Sequence, residues 1–274
     1  MKNPTGELRL TFRKKQNGTT YVPGVYYTGP MKVVSPFYED DDGTAFLYLL
    51  NLSGGIVGGD RLLTDVQVEQ TAQVLLTTPS ANKLYKMKGT HAEIENCFRV
   101  GERAALEYVP ECSIPFALSK TFQSTTFYLE QSSYLFAVDF VTPGRMDRGE
   151  YFSYERYSSN VKIYINGILE AYEKTNLLPR ETDVSQIGLM EACSHYASVY
   201  IYHQAADRMF TAKLNGKIAK YEDVKGGASL IGEALIVIKL LGSRADHVQA
   251  VIDEIWGASR QHFLHKPAVG LRKG

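Results

Sequence analysis

A mainly β protein is what this sequence predicts: many short strands stacked in β-solenoid-like layers, with two helices in the C-terminal third. Eighteen tyrosines and twelve phenylalanines are many for 274 residues, and aromatic side chains favour pleated, half-buried surfaces. Short runs of alternating apolar and polar residues recur as far as Ile165, punctuated by glycine, proline and asparagine. Past residue 205 the apolar spacing lengthens to that of a helix face.

Leu62, Thr64, Val66 and Val68 alternate with Asp65, Gln67 and Glu69, a strand with one buried face. Gln73 to Thr78 is the next short strand. Ala92, Ile94, Phe98 and Val100 alternate with Glu93, Glu95 and Arg99 in a third. A fourth begins at Leu106 and Tyr108 and closes at Pro110. Thr125–Leu129, Tyr134–Val141, Glu150–Tyr157 and Val161–Ile165 continue the series. Strands this short and this close suggest a sandwich, barrel or solenoid. Ala206, Phe210, Leu214 and Ile218 then predict a helix near 205–222, despite Gly216. Ala234 to Leu241 reads as a central strand. Val248, Val251, Ile252, Ile255 and Trp256 predict a second helix over about 245–262. The tail from Lys266 carries helix breakers and basic residues and reads as loose or partner-dependent. No linker and no fixed-period repeat divides the chain. The expectation is a single domain, 1–274, with a β-rich region at 1–204 and a region of two helices and a strand at 205–274.

Thirty basic and thirty acidic residues give zero net charge, which argues against a nucleic-acid binder. No run of about 20 apolar residues predicts a membrane span, and Met1 to Lys15 lack a signal-peptide core. Cys97, Cys112 and Cys193 are odd in number and far apart, which suits free thiols in a reducing cytoplasm. No CxxC or HExxH spacing marks a zinc site.

The most distinctive stretch is Asn51 to Leu62, "NLSGGIVGGDRL". Gly54, four residues and Gly59 imitate half a Walker loop, but Asp60 and Arg61 stand where lysine and serine or threonine belong. A strand follows rather than a helix, so no helix N-terminus awaits an anion. Phosphate binding is rejected. Gly54, Gly55, Gly58 and Gly59 read as a structural corner where backbones pass closely; a sharper reading has Asp60 face a cavity. Asp139 interrupts the apolar "YLFAVDFVTP"; a buried carboxylate needs a partner, either a salt bridge or an internal passage. "PGRMDRGE" reads as a turn held by its own ion pairs, and Glu170 and Glu173 as a solvated face. His262 and His265 could share a metal or cap a helix. His195 and His203, eight apart, would share one strand face. No catalytic set emerges.

Several motifs together resemble one family. "PFYED" (36–40), "LYLLNLSGGIVGGDRL" (47–62), "TTPSANKLYK" (77–86), "LEYVPECSIPF" (106–116) and "TPGRMDRGEYFSY" (142–154) stand in the order and spacing of the urease accessory protein UreD family, called UreH in some species. The likeness is distinctive from about 30 to 175 and weaker through "KLLGSRADHVQAVIDEIWGASRQ" (239–261).

That resemblance implies a cytoplasmic accessory protein, not an enzyme, with no tightly bound cofactor. It implies UreF, UreG and the urease apoprotein as partners, a heterotetramer with UreF, and Ni²⁺ in transit through an internal tunnel to the urease site. Asp60, Asp139 and Glu173 match positions associated with that tunnel in relatives. Hard carboxylate ligands would hold the ion weakly enough to release it. Arg61 departs from relatives with an acid there and would oppose Ni²⁺ unless it points elsewhere. Trp256 and Phe263, seven apart on one helix face, are candidate UreF anchors, or else pack on the β core. Two rival readings remain at this level: a β-solenoid carbohydrate-active enzyme using paired carboxylates, and an interaction module with no metal role.

Overall fold

The computed structural model describes residues 3–270. Its strands fall into two sheets, and the chain shuttles between them. The first sheet holds β1 (Gly6–Lys14), β2 (Thr20–Thr28), β5 (Arg61–Val68), β8 (Ala92–Val100), β11 (Lys120–Leu129), β13 (Arg156–Ile165) and β14 (Ile168–Leu177). Their spatial order is β14-β13-β11-β8-β5-β1-β2. The second sheet holds β3 (Met31–Val33), β4 (Ala45–Asn51), β6 (Gln73–Thr77), β9 (Ala105–Val109), β12 (Tyr134–Val141), β15 (His195–Tyr202), β16 (Val224–Ile231) and β17 (Leu235–Gly242). Their order is β16-β17-β15-β12-β9-β6-β4-β3, with short β7 (Asn82–Leu84) and β10 (Ser113–Pro115) pairing at its side.

The solenoid lies in the middle of both sheets. β5, β8, β11 and β13 run parallel in one, while β4, β6, β9 and β12 run parallel in the other. Each coil passes from one sheet to the other and back. Antiparallel hairpins close the ends: β1 with β2, β13 with β14, and β12-β15-β17-β16. Successive first-sheet coil strands start 31, 28 and 36 residues apart. This uneven spacing hides the coil from a search for a fixed period.

Two cores follow from this layering. One fills the solenoid, with Leu8, Leu62, Val66, Phe98, Phe127 and Ile163 from the first sheet against Leu47, Leu76 and Leu135 from the second. The other lies on the outer face of the second sheet, under α1 (Arg208–Ile218) and α2 (Ala245–Ser259). Strands β12, β15 and β17 are therefore covered on both faces, and "YLFAVDFV" and "LIVIKLLG" read as near-continuous apolar runs for that reason.

Helix α1 starts where its cap puts it. Asp207 is the N-cap of α1 and accepts from the Phe210 N–H at 2.7 Å, with Phe210, Leu214 and Ile218 buried below. Helix α2 ends at Ser259, and a wider π-type turn, Arg260–Leu264, continues it. Two expectations are corrected. Residues 150–155 are not strand; β13 begins at Arg156, because the preceding segment wraps as a loop held by Arg145 against Glu150. The "PGRMDRGE" ion pair itself is as expected. The tail is not loose at Lys266: its ammonium is buried and pairs with Asp42 at 2.8 Å. Leu271 to Gly274 lie outside the described residues.

Candidate functional site

The register of the solenoid places polar side chains in one interior row. Thr64 of β5 stands beside Asn96 of β8, Asn96 beside Thr125 of β11, then Val161 of β13 and Glu173 of β14. These positions share the inward phase of Leu62 and Val66, since alternate residues of a strand face one way. Asn96 Nδ2 donates to Thr125 Oγ1 at 3.2 Å. The second sheet answers with its own row: Asp139 of β12, Ser198 of β15 and Lys239 of β17 are cross-strand neighbours. Between the sheets lies a cavity of about 200 Å³, lined by Thr64, Asn96, Thr125, Asp139 and Tyr200 among others. That is room for several waters, and the wall supplies the polar partners they need. The cavity reaches the surface at the glycine corner, beside Gly54 and an exposed Leu52.

Asp139 lines the cavity, and a second carboxylate, Glu173, lies behind Tyr200. Asp139 accepts from Ser159 Oγ at 2.6 Å and from the Tyr157 hydroxyl at 3.3 Å. Burial pushes its carboxyl above the ordinary aspartate range, and the charge of Glu173 adds to that, against the opposing Ser159 and Tyr157 hydroxyls and Lys239. The expected arginine or lysine partner is replaced by hydroxyl donors. Glu173 is not on a solvated face. It accepts from the hydroxyls of Tyr196 at 2.7 Å, Ser198 at 2.8 Å and Tyr200 at 2.5 Å, and forms an ion pair with Lys239. Burial pushes Glu173 up, but Lys239 and the hydroxyls outweigh it and hold the group below its usual value.

Asp60 does not join them. Its carboxylate accepts from the Val57 N–H at 2.9 Å and the Thr5 hydroxyl at 3.3 Å, which fastens the corner to the N-terminal strand. The corner itself is tight. A Cβ on Gly55 would stand 2.3 Å from the Tyr85 ring and 2.7 Å from the Lys83 carbonyl; one on Gly58 would stand 2.4 Å from Thr90 Cγ2. Gly54 and Gly59 take positive φ, +71° and +93°. Arg61 points to the outer face of the first sheet, 3.0 Å from Glu95 and 3.6 Å from Glu93, and so leaves the interior without its charge.

Trp256 and Phe263 are both buried. Trp256 lies on Phe136, and its indole N–H donates to Glu107 at 2.5 Å; Phe263 packs against Phe210 and His203. Both pack on the β core, as the alternative reading has it. His262 stacks on Phe210 with ring centres 4.3 Å apart. His195 is buried in β15, and His203 falls just past that strand's end.

Sequence reasoning missed two groups. The interior row is the first. Asn96 sits in the buried phase of β8, and a polar residue in that phase was the available signal. The second is a buried ion cluster under α2. Arg260, fully buried, pairs with Asp40 at 2.5 Å and Glu107 at 3.3 Å, and Lys266 reaches Asp40 at 3.7 Å. Glu107 within apolar "ALEYV" was its signal, by the same logic that singled out Asp139. Among the described residues no group of three or more His, Cys, Asp or Glu side chains is placed to hold a metal ion. The interior offers two carboxylates and a set of hydroxyls, ligands for passing contact rather than a closed cage.

Comparison with known proteins gives one consistent result. The family model for the UreD urease accessory protein matches residues 4–273. A urease accessory protein UreD of Bacillus cereus is 29% identical over 273 residues, covering all of both chains. That of Acetivibrio thermocellus is 32% identical over 92% of this chain and 97% of its own. That of Blochmanniella pennsylvanica is 32% identical over 96% of this chain and 92% of its own.

Proposed function

The chain belongs to the UreD family of urease accessory proteins, and we propose that it brings UreF and UreG to apo-urease and passes Ni²⁺ through its own interior to the urease site. One observation carries this reading: Thr64, Asn96 and Thr125 form a polar row along a cavity whose wall also carries Asp139, with Glu173 behind Tyr200. A core built for stability alone gains nothing from that row, because buried polar groups need partners and contribute little net. A path for a hydrated cation needs such groups. It needs oxygen donors at short intervals, negative charge at the far end, and no ligand set strong enough to trap the ion.

The glycine corner shapes the entrance, with Asp60 as its fastening. Thr64, Asn96 and Thr125 replace part of the ion's hydration. Asp139 and Glu173 draw it inward. Among the described residues no helix is long and apolar enough to cross a membrane; the cytoplasmic setting belongs to the proposal.

The test is urease activation in cells that supply the urease subunits and the other accessory proteins. The chain is present unchanged, absent, or carries Asp139→Ala. The expected result is that activity needs the chain, and that Asp139→Ala lowers urease nickel while UreF and urease still co-purify with the variant. Full nickel loading with Asp139→Ala, in an intact complex, would leave an interaction module without a metal role.

A further inference from the structure

The Glu173 carboxylate has no acceptor position left. A carboxylate offers about four lone-pair sites. Tyr196 and Ser198 take two on Oε1, where Thr175 Oγ1 also stands at 3.5 Å; Tyr200 and Lys239 take two on Oε2. A cation reaches this group only when a hydroxyl turns or the ammonium leaves. The hydroxyls need not go, because an O–H can turn and present its own oxygen to a metal. An ammonium has three donors and no acceptor, so it can only compete.

The Lys239 ammonium also donates to Ser198 Oγ at 3.0 Å and lies 5.7 Å and 5.8 Å from the ring centres of Tyr196 and Tyr200. It is held in a seat of one carboxylate, one hydroxyl and two aromatic faces. The seat is not sealed. The lysine side chain is 41% exposed, and its cross-strand neighbour on β16 is Gly227, which brings no side chain beside it. Lys239 can therefore leave toward water without the sheet rearranging.

We propose that Lys239 is a tethered stand-in cation. It occupies the Glu173 end of the interior row while no cargo is present, and a divalent ion must displace it. The inference rests on the passage reading above and adds its selectivity. A free monovalent ion offers Glu173 the same unit charge that Lys239 already supplies, and loses translational freedom on arrival. A divalent ion doubles the Coulombic attraction, which scales with the product of charges, and it meets Asp139 nearby as a second acid. The lock distinguishes ions by charge. It also keeps Glu173 from standing unpaired in a half-buried site when the path is empty.

The test uses the full chain and Ni²⁺ alone, by equilibrium dialysis. Lys239→Gln removes the competing charge and should tighten Ni²⁺ binding about tenfold, since one partly buried ion pair no longer has to be broken. Lys239→Arg keeps the charge and should bind close to the unchanged protein. Adding Glu173→Gln to Lys239→Gln should erase the gain. A second measurement needs no variant: Ni²⁺ should speed acylation of the Lys239 amine, read by peptide mass spectrometry. Unchanged or weaker binding by Lys239→Gln, a gain that survives loss of Glu173, or labelling that Ni²⁺ does not speed each overturns the lock. Should Ni²⁺ binding depend on Asp139 and Glu173 but not on Lys239, the lock alone falls. Should neither the unchanged chain nor any variant take up Ni²⁺, the passage reading falls with it.

Discussion

Arg260→Met should destabilise the chain by about 3–5 kcal/mol, the usual cost of breaking a buried ion pair from one side. The guanidinium is fully buried, and its partners Asp40 and Glu107 keep only 8% and 2% of their side-chain surface. Lys266 still stands 3.7 Å from Asp40 after the substitution, so that acid keeps a counter-charge. Glu107 keeps only the Trp256 N–H and bears most of the cost. The chain's single tryptophan thus reports the event from inside. Urea unfolding followed by tryptophan emission gives the loss directly. Adding Glu107→Gln, which still accepts from Trp256 but carries no charge, should return at least about 1 kcal/mol, because contacting residues are not additive. A loss under about 1 kcal/mol for Arg260→Met, or strict additivity in the pair, would refute the reasoning: Glu107 would not depend on Arg260.

The glycine corner makes a sharper local statement. Gly55→Ala should cost about 1–3 kcal/mol by overpacking against the Lys83 carbonyl and Tyr85. Gly54→Ala, strained by its φ of +71° but facing open space, should cost about 1 kcal/mol, and thermal melts separate the two. For pH, Asp139 holds its proton above the ordinary aspartate range because it is buried. The folded chain thus binds more protons than the unfolded one from about pH 3.9 upward. Asp139 therefore contributes stability at low pH that is lost as pH rises through its folded value. Asp139→Asn should remove that part of the decline, seen as a flatter plot of urea midpoint against pH. Lys266→Met should loosen the residues after Leu264, because its ammonium ties them to Asp42, Thr44 and Gln73; faster amide exchange there, with α1 unchanged, is the expected reading.

Several strands from Leu62 to Ile165 and both helices were legible because their periodicities differ and because one face of each is buried, whereas β1 to β4 and β14 were not read. Leu62 to Val68 and Ala92 to Val100 alternate cleanly, and Phe210, Leu214 and Ile218 recur every fourth residue. β16 is harder to see, since Gly226 and Gly227 dilute its pattern, and β2 carries Pro23 and Gly24 at a sheet edge where such residues are tolerated. The site was half legible. An acid inside an apolar strand exposed Asp139, and the same rule reaches Glu107. Glu173 could not be placed, because β14 lies at the edge of its sheet and its polar sequence looks solvated. Which strands stack beside which is a matter of long-range register. Only that register turns Thr64, Asn96 and Thr125 from three isolated polar residues into one row. It also separates Asp60 from the two acids with which its motif had grouped it.

The proposed passage of Ni²⁺ runs inside the solenoid. The most direct measurement blocks the cavity while leaving its surface untouched. Thr125→Phe puts an aromatic ring into the lining beside Asn96, on a strand that also carries Phe127. Urease matured with this variant is weighed for nickel per active site, and UreF and urease are scored for co-purification. The account predicts intact complexes and nickel-poor urease. Nickel-replete urease from an equally intact complex would contradict it, because the ion would then have another way in.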